Sequence, residues 1–359
     1  LLPLRLAYAS PSLLSRFCLR LPFALVVAGA GGALLGLGAN WSVALGGSLV
    51  AVGAPLLAGA VRHVVQVARE ADARPVPGAL VKVRGHRMHV LAEGDPAVGP
   101  TVVWMPGGHA PGADFQELHA MLAARARSVL VDRFGTGWSD VGPFPRTTAV
   151  EAEELLAALE GAGERAPFVL VGHSFGGLLV ANVARRRPDL VAGLVLLDPT
   201  PLEVIAFAPR NRQLAGMRRG YLLTAVRQLS GAYRGRGERT GRLCAAVSAF
   251  GELAPAGLAR AGWETVVYDG DLGDLPLVLV IPRDLIGGEA VLAGARDAVE
   301  AERISRFYLR TRVRYLAAST ASRLVHTPDG TGHDFPHEAP EFVVGVVGDL
   351  VRELRVVSP

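Results

Sequence analysis

Three residue types in this chain are spaced for acyl transfer. Ser174 lies in Gly172-His173-Ser174-Phe175-Gly176, directly after the apolar run Phe168-Val169-Leu170-Val171 and before the small-residue run Leu178 to Ala184. A serine on a sharp strand-to-helix turn, with glycines two residues to either side, is a nucleophile elbow. The glycines remove Cβ atoms that would clash there. A serine hydroxyl is a weak nucleophile and needs a base, itself oriented by a third group. The base candidate is His333 in Thr331-Gly332-His333-Asp334, which follows the last apolar strand run. His337 is its nearest competitor, and His326 reads as a core residue within a strand. Two acids compete for the third place. Asp198 ends the run Leu194-Val195-Leu196-Leu197, and Asp284 follows Leu277 to Ile281.

Acyl transfer also requires donors aimed at the developing oxyanion. The backbone N–H of Phe175 is one candidate. The second is expected in the glycine turn Met105-Pro106-Gly107-Gly108-His109, with Gly108 as the donor.

These residues need a scaffold, and the pattern around them supplies one. Leu80 to Arg84 and His86 to Ala92 read as an antiparallel pair turning at Gly85. Strands are expected at Thr101 to Met105, Ser128 to Val131, the Ser174 strand, Gly193 to Leu197, Leu277 to Ile281 and Arg323 to His326. Helices are expected at about Asp114 to Ala126, Thr148 to Gly161 and Pro340 to Leu354, besides the one after Ser174. Glu151, Glu153 and Glu154 suit the positive end of the second helix. Such alternation implies a mostly parallel sheet with helices on both faces, an α/β fold. From about 200 to 274 the alternation stops. Nine arginines between Arg210 and Arg242 and few acids mark this stretch as a helical cap insert.

The front of the chain differs. Of 359 residues, 50% are hydrophobic, and the mean hydropathy of +0.32 reflects two apolar runs. Leu21 to Ala39 and Val43 to Val61 are uncharged and separated by Asn40-Trp41-Ser42. Each run, at about 19 residues, is roughly long enough to cross a bilayer as a helix. Ala28, Gly32 and Gly36 recur on one face and would let two helices approach closely. A signal peptide explains one such run but not two. The expectation is therefore a two-helix transmembrane hairpin in residues 1–74, with helices at about 21–39 and 43–61, ahead of a domain in 75–359. Arg5, Arg16 and Arg20 precede the first run, and Arg62, Arg69 and Arg74 follow the second. The positive-inside rule puts both ends, and the following domain, on the cytoplasmic side of a multi-pass cell-membrane protein.

Two cysteines, Cys18 and Cys244, build neither a disulfide framework nor a zinc site. The net charge of +4 comes without a nucleic-acid motif, so no nucleic-acid partner is expected.

Taken in order, these stretches resemble the α/β-hydrolase fold superfamily over about residues 76 to 355. Val103-Trp104-Met105-Pro106-Gly107-Gly108 is similar to its oxyanion-loop segment. Asp132-Arg133-Phe134-Gly135-Thr136-Gly137-Trp138-Ser139-Asp140 looks like its Asp-Arg-x-Gly-x-Gly-x-Ser loop. Gly172 to Gly177 matches the elbow, and Gly332-His333 the histidine loop. Within the superfamily the chain looks most like bacterial membrane-anchored serine hydrolases of the Val-Gly-His-Ser-Phe-Gly-Gly type. The family's Gly-x-x-Asp after the seventh strand appears here as Pro282-Arg283-Asp284-Leu285, out of register, which favours Asp198 over Asp284. The resemblance implies a serine hydrolase acting on a small-molecule acyl substrate, lipid-like if the basic cap lies near a membrane, with no metal or organic cofactor. Peptide or thioester cleavage, cofactor-free peroxidation, or a catalytically inert binding module are the alternatives on the same scaffold.

Overall fold

The computed structural model describes residues 76–108, 110–140, 147–200, 270–283 and 297–357, together with Gly29, 43–55, 57, 58 and 61 near the N-terminus. Eight strands form one sheet: β1 (Ala79–Val83), β2 (His86–Glu93), β3 (Thr101–Met105), β4 (Ser128–Val131), β5 (Phe168–His173), β6 (Val191–Leu197), β7 (Leu277–Ile281) and β8 (Ser322–His326). Their order is β1-β2-β4-β3-β5-β6-β7-β8. β2 pairs antiparallel with β1 and β4, and every later pairing is parallel.

The central strands are apolar runs because they are covered on both faces. Among the described residues, six helices accompany them: α1 (Gln116–Ala123), α2 (Thr148–Gly161), α3 (Phe175–Arg186), α4 (Ala298–Val313), α5 (Phe335–Glu338) and α6 (Pro340–Val357). Alternate residues of each strand point to opposite faces. Val103, Leu170 and Leu194 therefore pack with Leu155 and Leu159 of α2 and Leu179 and Val183 of α3. Val102, Trp104, Val169, Val171 and Val195 pack with Leu118 and Leu122 of α1 and Val343, Val347 and Leu350 of α6.

Local signals set the element ends. Arg84 and Gly85 both have positive φ, 49° and 83°, as a two-residue hairpin turn between twisted strands requires. Thr147 caps α2 by accepting a hydrogen bond from the Val150 N–H at 3.2 Å. Glu154 of that helix is buried and paired with Arg84 at 3.0 Å, so it ties the hairpin turn to α2 rather than only complementing a helix end. The helix expected at Asp114 to Ala126 begins instead as a 3₁₀ turn over Gly112–Phe115 before α1. His326 corrects a second expectation. It ends the edge strand β8 and is exposed, not core.

The strand order positions the site. β3 is followed by β4 on one side, and the chain then crosses to β5 on the other, so the order reverses between β3 and β5. In open α/β sheets, ligands bind in the crevice outside the C-terminal strand ends at such a reversal. The loops after β3, β5, β6 and β8 all open at this edge.

The two N-terminal apolar runs fall mainly outside the described residues. Residues 43–55 are helical, and among the described residues no helix is long and apolar enough to cross a membrane. The insert expected at 200–274 lies, except for Thr200 and 270–274, outside them as well.

Candidate active site

Ser174 follows β5 and is the N-terminal cap residue of α3, with φ 51° and ψ −120°. That backbone region is open mainly to glycine, so the surroundings must hold a serine there. They do so through its own peptide groups. The Ser174 N–H donates to Leu197 O at 3.0 Å, and its carbonyl accepts from Thr200 N at 2.9 Å and Gly177 N at 3.0 Å. β5 and β6 are thereby stitched together just where both end. The turn closes so tightly that a Cβ on Gly172 would overlap the Gly176 carbonyl, and one on Gly176 would overlap the carbonyl oxygen of Met105. The side chain of Ser174 remains partly open to the crevice.

Asp198 is the next residue after β6 and is fully buried. It too has a positive φ, 41°, and its N–H donates to Val280 O at 2.7 Å. Its carboxylate Oδ2 accepts a 2.6 Å hydrogen bond from His333 Nδ1, across 135 residues of sequence. Its Oδ1 lies 2.7 Å from Nε of Arg312, an α4 residue that is only 3% exposed. Burial alone would raise the Asp198 pKa, but the Arg312 charge and the His333 hydrogen bond outweigh it and hold the carboxyl below its ordinary value. With Nδ1 of His333 committed as the donor to Asp198, a neutral ring carries its lone pair on Nε2.

The loop bearing His333 is fixed on several sides. Thr331 Oγ1 donates to Pro328 O at 2.7 Å, and Gly332 N donates to Glu338 Oε2 of α5 at 2.8 Å. His173, the last residue of β5, donates from Nε2 to the His333 carbonyl at 2.9 Å, and the two rings lie 4.6 Å apart. Burial, then repulsion from His333 when charged, pushes the His173 pKa down to about 4. A free chain binds that proton at an ordinary imidazole pKa of about 6.5. The folded state thus carries no penalty above that value and loses stability as pH falls from it toward 4. The full loss is about 3 kcal/mol. Replacing His173 with glutamine is expected to flatten this part of the stability profile, as read from thermal melts between pH 7 and 4.5.

The fourth component is the loop after β3. Arg133, 2% exposed, donates from Nη1 to Pro106 O at 2.9 Å and from Nη2 to Gly107 O at 2.8 Å, with its guanidinium 5.5 Å from the Phe175 ring centroid. A trans peptide places its N–H opposite its C=O. Fixing the Gly107 carbonyl on Arg133 therefore turns the Gly108 N–H away from Arg133. Gly108 lies against Phe175, with its ideal Cβ position 3.7 Å from Phe175 Cβ, and that of Gly107 is 3.4 Å from Ser174 Cβ. Phe175 opens α3, so its N–H has no acceptor within the helix.

Asp132 secures Arg133 in turn. It accepts from Gly112 N at 2.6 Å, Trp138 N at 2.9 Å and His89 Nδ1 at 2.8 Å, closing the Asp-Arg-x-Gly-x-Gly-x-Ser loop under the β3 loop. Asp132 and Arg133 thus hold the loops that border the crevice through hydrogen bonds to their backbone.

Of the two acids considered from the sequence, Asp198 is the one hydrogen-bonded to His333; Asp284 lies outside the described residues. His337 is exposed, with its ring beside Phe115. Arg312 and the supporting contacts of His173 are not evident from sequence. The only local signal near Arg312 is Asp297-x-x-Glu300, a helix start whose Asp297 side chain does accept from Glu300 N at 2.8 Å. Among the described residues no three His, Cys, Asp or Glu side chains converge as metal ligands.

A sheet of this order, with a serine elbow at its reversal point and a paired aspartate and histidine beside it, is the architecture of the α/β hydrolases. The alpha/beta hydrolase family model matches residues 102–346, and the chain belongs to that family. YbdG of Bacillus subtilis is 26% identical over 167 residues, covering 46% of this chain and 51% of that protein. The sn-1-specific diacylglycerol lipase ABHD11 of Mus musculus is 34% identical over 134 residues, covering 37% of this chain and 40% of that protein. The chain thus spans about half or less of the length of these curated relatives. An esterase structure from Thermogutta terrifontis superposes with a TM-score of 0.54 at 21% identity, over 77% of this chain and 98% of that one. That likeness is one of fold.

Proposed function

We propose that the chain is a membrane-anchored serine hydrolase cleaving an ester or related acyl bond through Ser174, His333 and Asp198. Nε2 of His333 takes the Ser174 proton as Oγ attacks the carbonyl carbon. The N–H groups of Phe175 and Gly108 receive the oxyanion, and Asp198 stabilises the imidazolium. The imidazolium protonates the leaving alcohol, and water, deprotonated by His333, releases the acid from Ser174.

The observation that carries this reading is the 2.6 Å bond between His333 Nδ1 and buried Asp198, beside the strained elbow serine. That bond leaves Nε2 as the base and costs a buried charge that a merely structural histidine would not require. A diacylglycerol lipase among the sequence relatives favours an acyl substrate. The two N-terminal apolar runs, flanked by arginines, favour a tether to the cytoplasmic face of a membrane and hence a lipid-like substrate.

A fluorophosphonate probe applied to native membranes tests the chemistry. Labelling of the wild type that disappears in Ser174→Ala and His333→Ala is expected; a folded wild type that stays unlabelled would overturn the reading. Resistance to alkaline carbonate, with release by detergent, is the expected behaviour of the tether. Release by carbonate alone would remove it.

Arg133 supplies a further test. Because it fixes the Gly107 carbonyl, Arg133→Met is expected to lower kcat by about 10- to 100-fold, below the loss from deleting a donor outright, with KM little changed. Equal losses in an ester substrate's binding and turnover would instead mark Arg133 as a general structural element.

A further inference from the structure

We infer that Arg312 is a positioning residue of this site, holding the Asp198–His333 pair in the ionised, Nδ1-protonated arrangement that serves Ser174. The inference rests on the proposed triad. Asp198 has two carboxylate oxygens and two partners, one on each: His333 Nδ1 at 2.6 Å on Oδ2 and Arg312 Nε at 2.7 Å on Oδ1. Both Asp198 and Arg312 are withdrawn from water, so their charges are not screened by solvent.

A neutral histidine cannot by itself compensate a carboxylate that is fully buried. Without the guanidinium, the pair would lower its charge by taking up a proton, on the carboxylate or on the imidazole. Either result removes the base: a protonated Asp198 no longer fixes the tautomer, and a protonated His333 has no lone pair for the serine.

Arg312 is well placed to hold this geometry because it belongs to a separate, anchored element. Two residues after α4 ends, the Tyr315 hydroxyl donates to Thr200 O at 3.0 Å. The segment from Asp198 to Thr200 is thus held by the same stretch of chain that carries Arg312. The Thr200 N–H is already bound to the Ser174 carbonyl. The nucleophile, the acid and the arginine are therefore tied through one short segment of chain.

The other charged or titratable groups facing the pair among the described residues are few. His173 comes from the end of β5, and Asp334 from the loop that carries His333. Glu338 of α5 is engaged by the Gly332 N–H. His173 is neutral at working pH, and the two acids are wrongly signed to replace the guanidinium. Among the described residues, Arg312 is the arginine or lysine that touches the carboxylate.

The test is the pH dependence of kcat/KM for a chromogenic ester, in the full chain, for the wild type, Arg312→Lys and Arg312→Gln. Removing a buried positive charge eases proton uptake by the pair as a whole, whichever partner holds the proton. The acidic limb of Arg312→Gln is therefore expected to move to higher pH by about one unit or more. Arg312→Lys, which keeps the charge but not the planar guanidinium that brings Nε to Asp198 Oδ1, is expected to keep the limb near the wild-type position with a lower plateau. Far-UV circular dichroism and thermal melts establish that each variant is folded. Should Arg312→Gln prove unstable, Arg312→Lys against the milder Arg312→His at high and low pH gives the same comparison of charge. A limb that stays in place in a folded Arg312→Gln enzyme, whatever its plateau, would overturn the inference and leave Arg312 as packing only. A wild type without esterase activity or probe labelling would instead overturn the triad itself, so the two failures are distinguishable.

Discussion

Replacing Ser174 with alanine is expected to lower kcat on an activated ester by at least about 10⁴-fold while leaving the fold intact. The loss is large because the remaining groups have nothing to act through. His333 has no hydroxyl to deprotonate, and the two N–H donors face a carbonyl that no nucleophile attacks. The fold is retained because Ser174 is held by its main chain, through Leu197 O, Thr200 N and Gly177 N, and none of these contacts uses the hydroxyl. The same geometry gives a second readout. A side chain at φ 51°, ψ −120° carries a backbone strain of about 1–3 kcal/mol. Ser174→Gly is therefore expected to abolish turnover and raise the melting temperature, whereas Ser174→Ala keeps its Cβ and the strain. A glycine variant that melts lower than the wild type would show that the elbow is not strained.

Asp198→Asn should be nearly as damaging, and in two separable ways. An asparagine presents either oxygen or N–H₂ to His333, so the tautomer that leaves Nε2 free is no longer enforced. An activity loss of about 10³- to 10⁴-fold follows. The substitution also removes the carboxylate charge 2.7 Å from the buried guanidinium of Arg312. Breaking a buried pair from one side costs about 3–5 kcal/mol. Removing the cation as well, in Asp198→Asn/Arg312→Met, is expected to restore most of the melting temperature and none of the activity. Urea or thermal unfolding together with ester turnover on the three variants separates the effects. If the double variant is as unstable as the single one, the Arg312–Asp198 contact is not the source of the loss.

The parts of this site differ in how visible they are in the sequence. The elbow is local. Its strand, two glycines and helix fall within about twenty consecutive residues, and each is a direct steric consequence of the turn. The parallel sheet was legible for the same reason, since its strands are short apolar runs bounded by turn residues. The Asp198–His333 bond is different. It spans 135 residues and exists only because β6, β7 and β8 lie side by side, so the sequence supports the order of the residues but left Asp284 in contention.

Arg312 was hidden by its own neighbourhood. α4 carries Arg303, Arg306 and Arg310 on exposed positions, which make it read as a solvated charged helix. Among the described side chains of α4, the buried Ser305, Thr311 and Arg312 are polar like those arginines, so residue type does not separate the buried positions from the solvated ones. His326 failed in the opposite sense. An apolar strand context suggested burial, but β8 is the edge of the sheet and its end is open. In the sequence His173 is one letter of the elbow motif, while its contact with the His333 carbonyl depends on two loops meeting at the sheet edge.

The most direct test of the central proposal is to look for the acyl-enzyme itself. The full-length protein in detergent is mixed with a slowly deacylating ester, quenched in acid within the first turnover, digested and mapped by mass spectrometry. The expected result is an acyl mass on the peptide containing Ser174, formed in a burst equal to the enzyme concentration and absent in Ser174→Ala. Hydrolysis at the same rate with no adduct on that peptide, or an adduct that persists in Ser174→Ala, would contradict the assignment of Ser174 as the nucleophile.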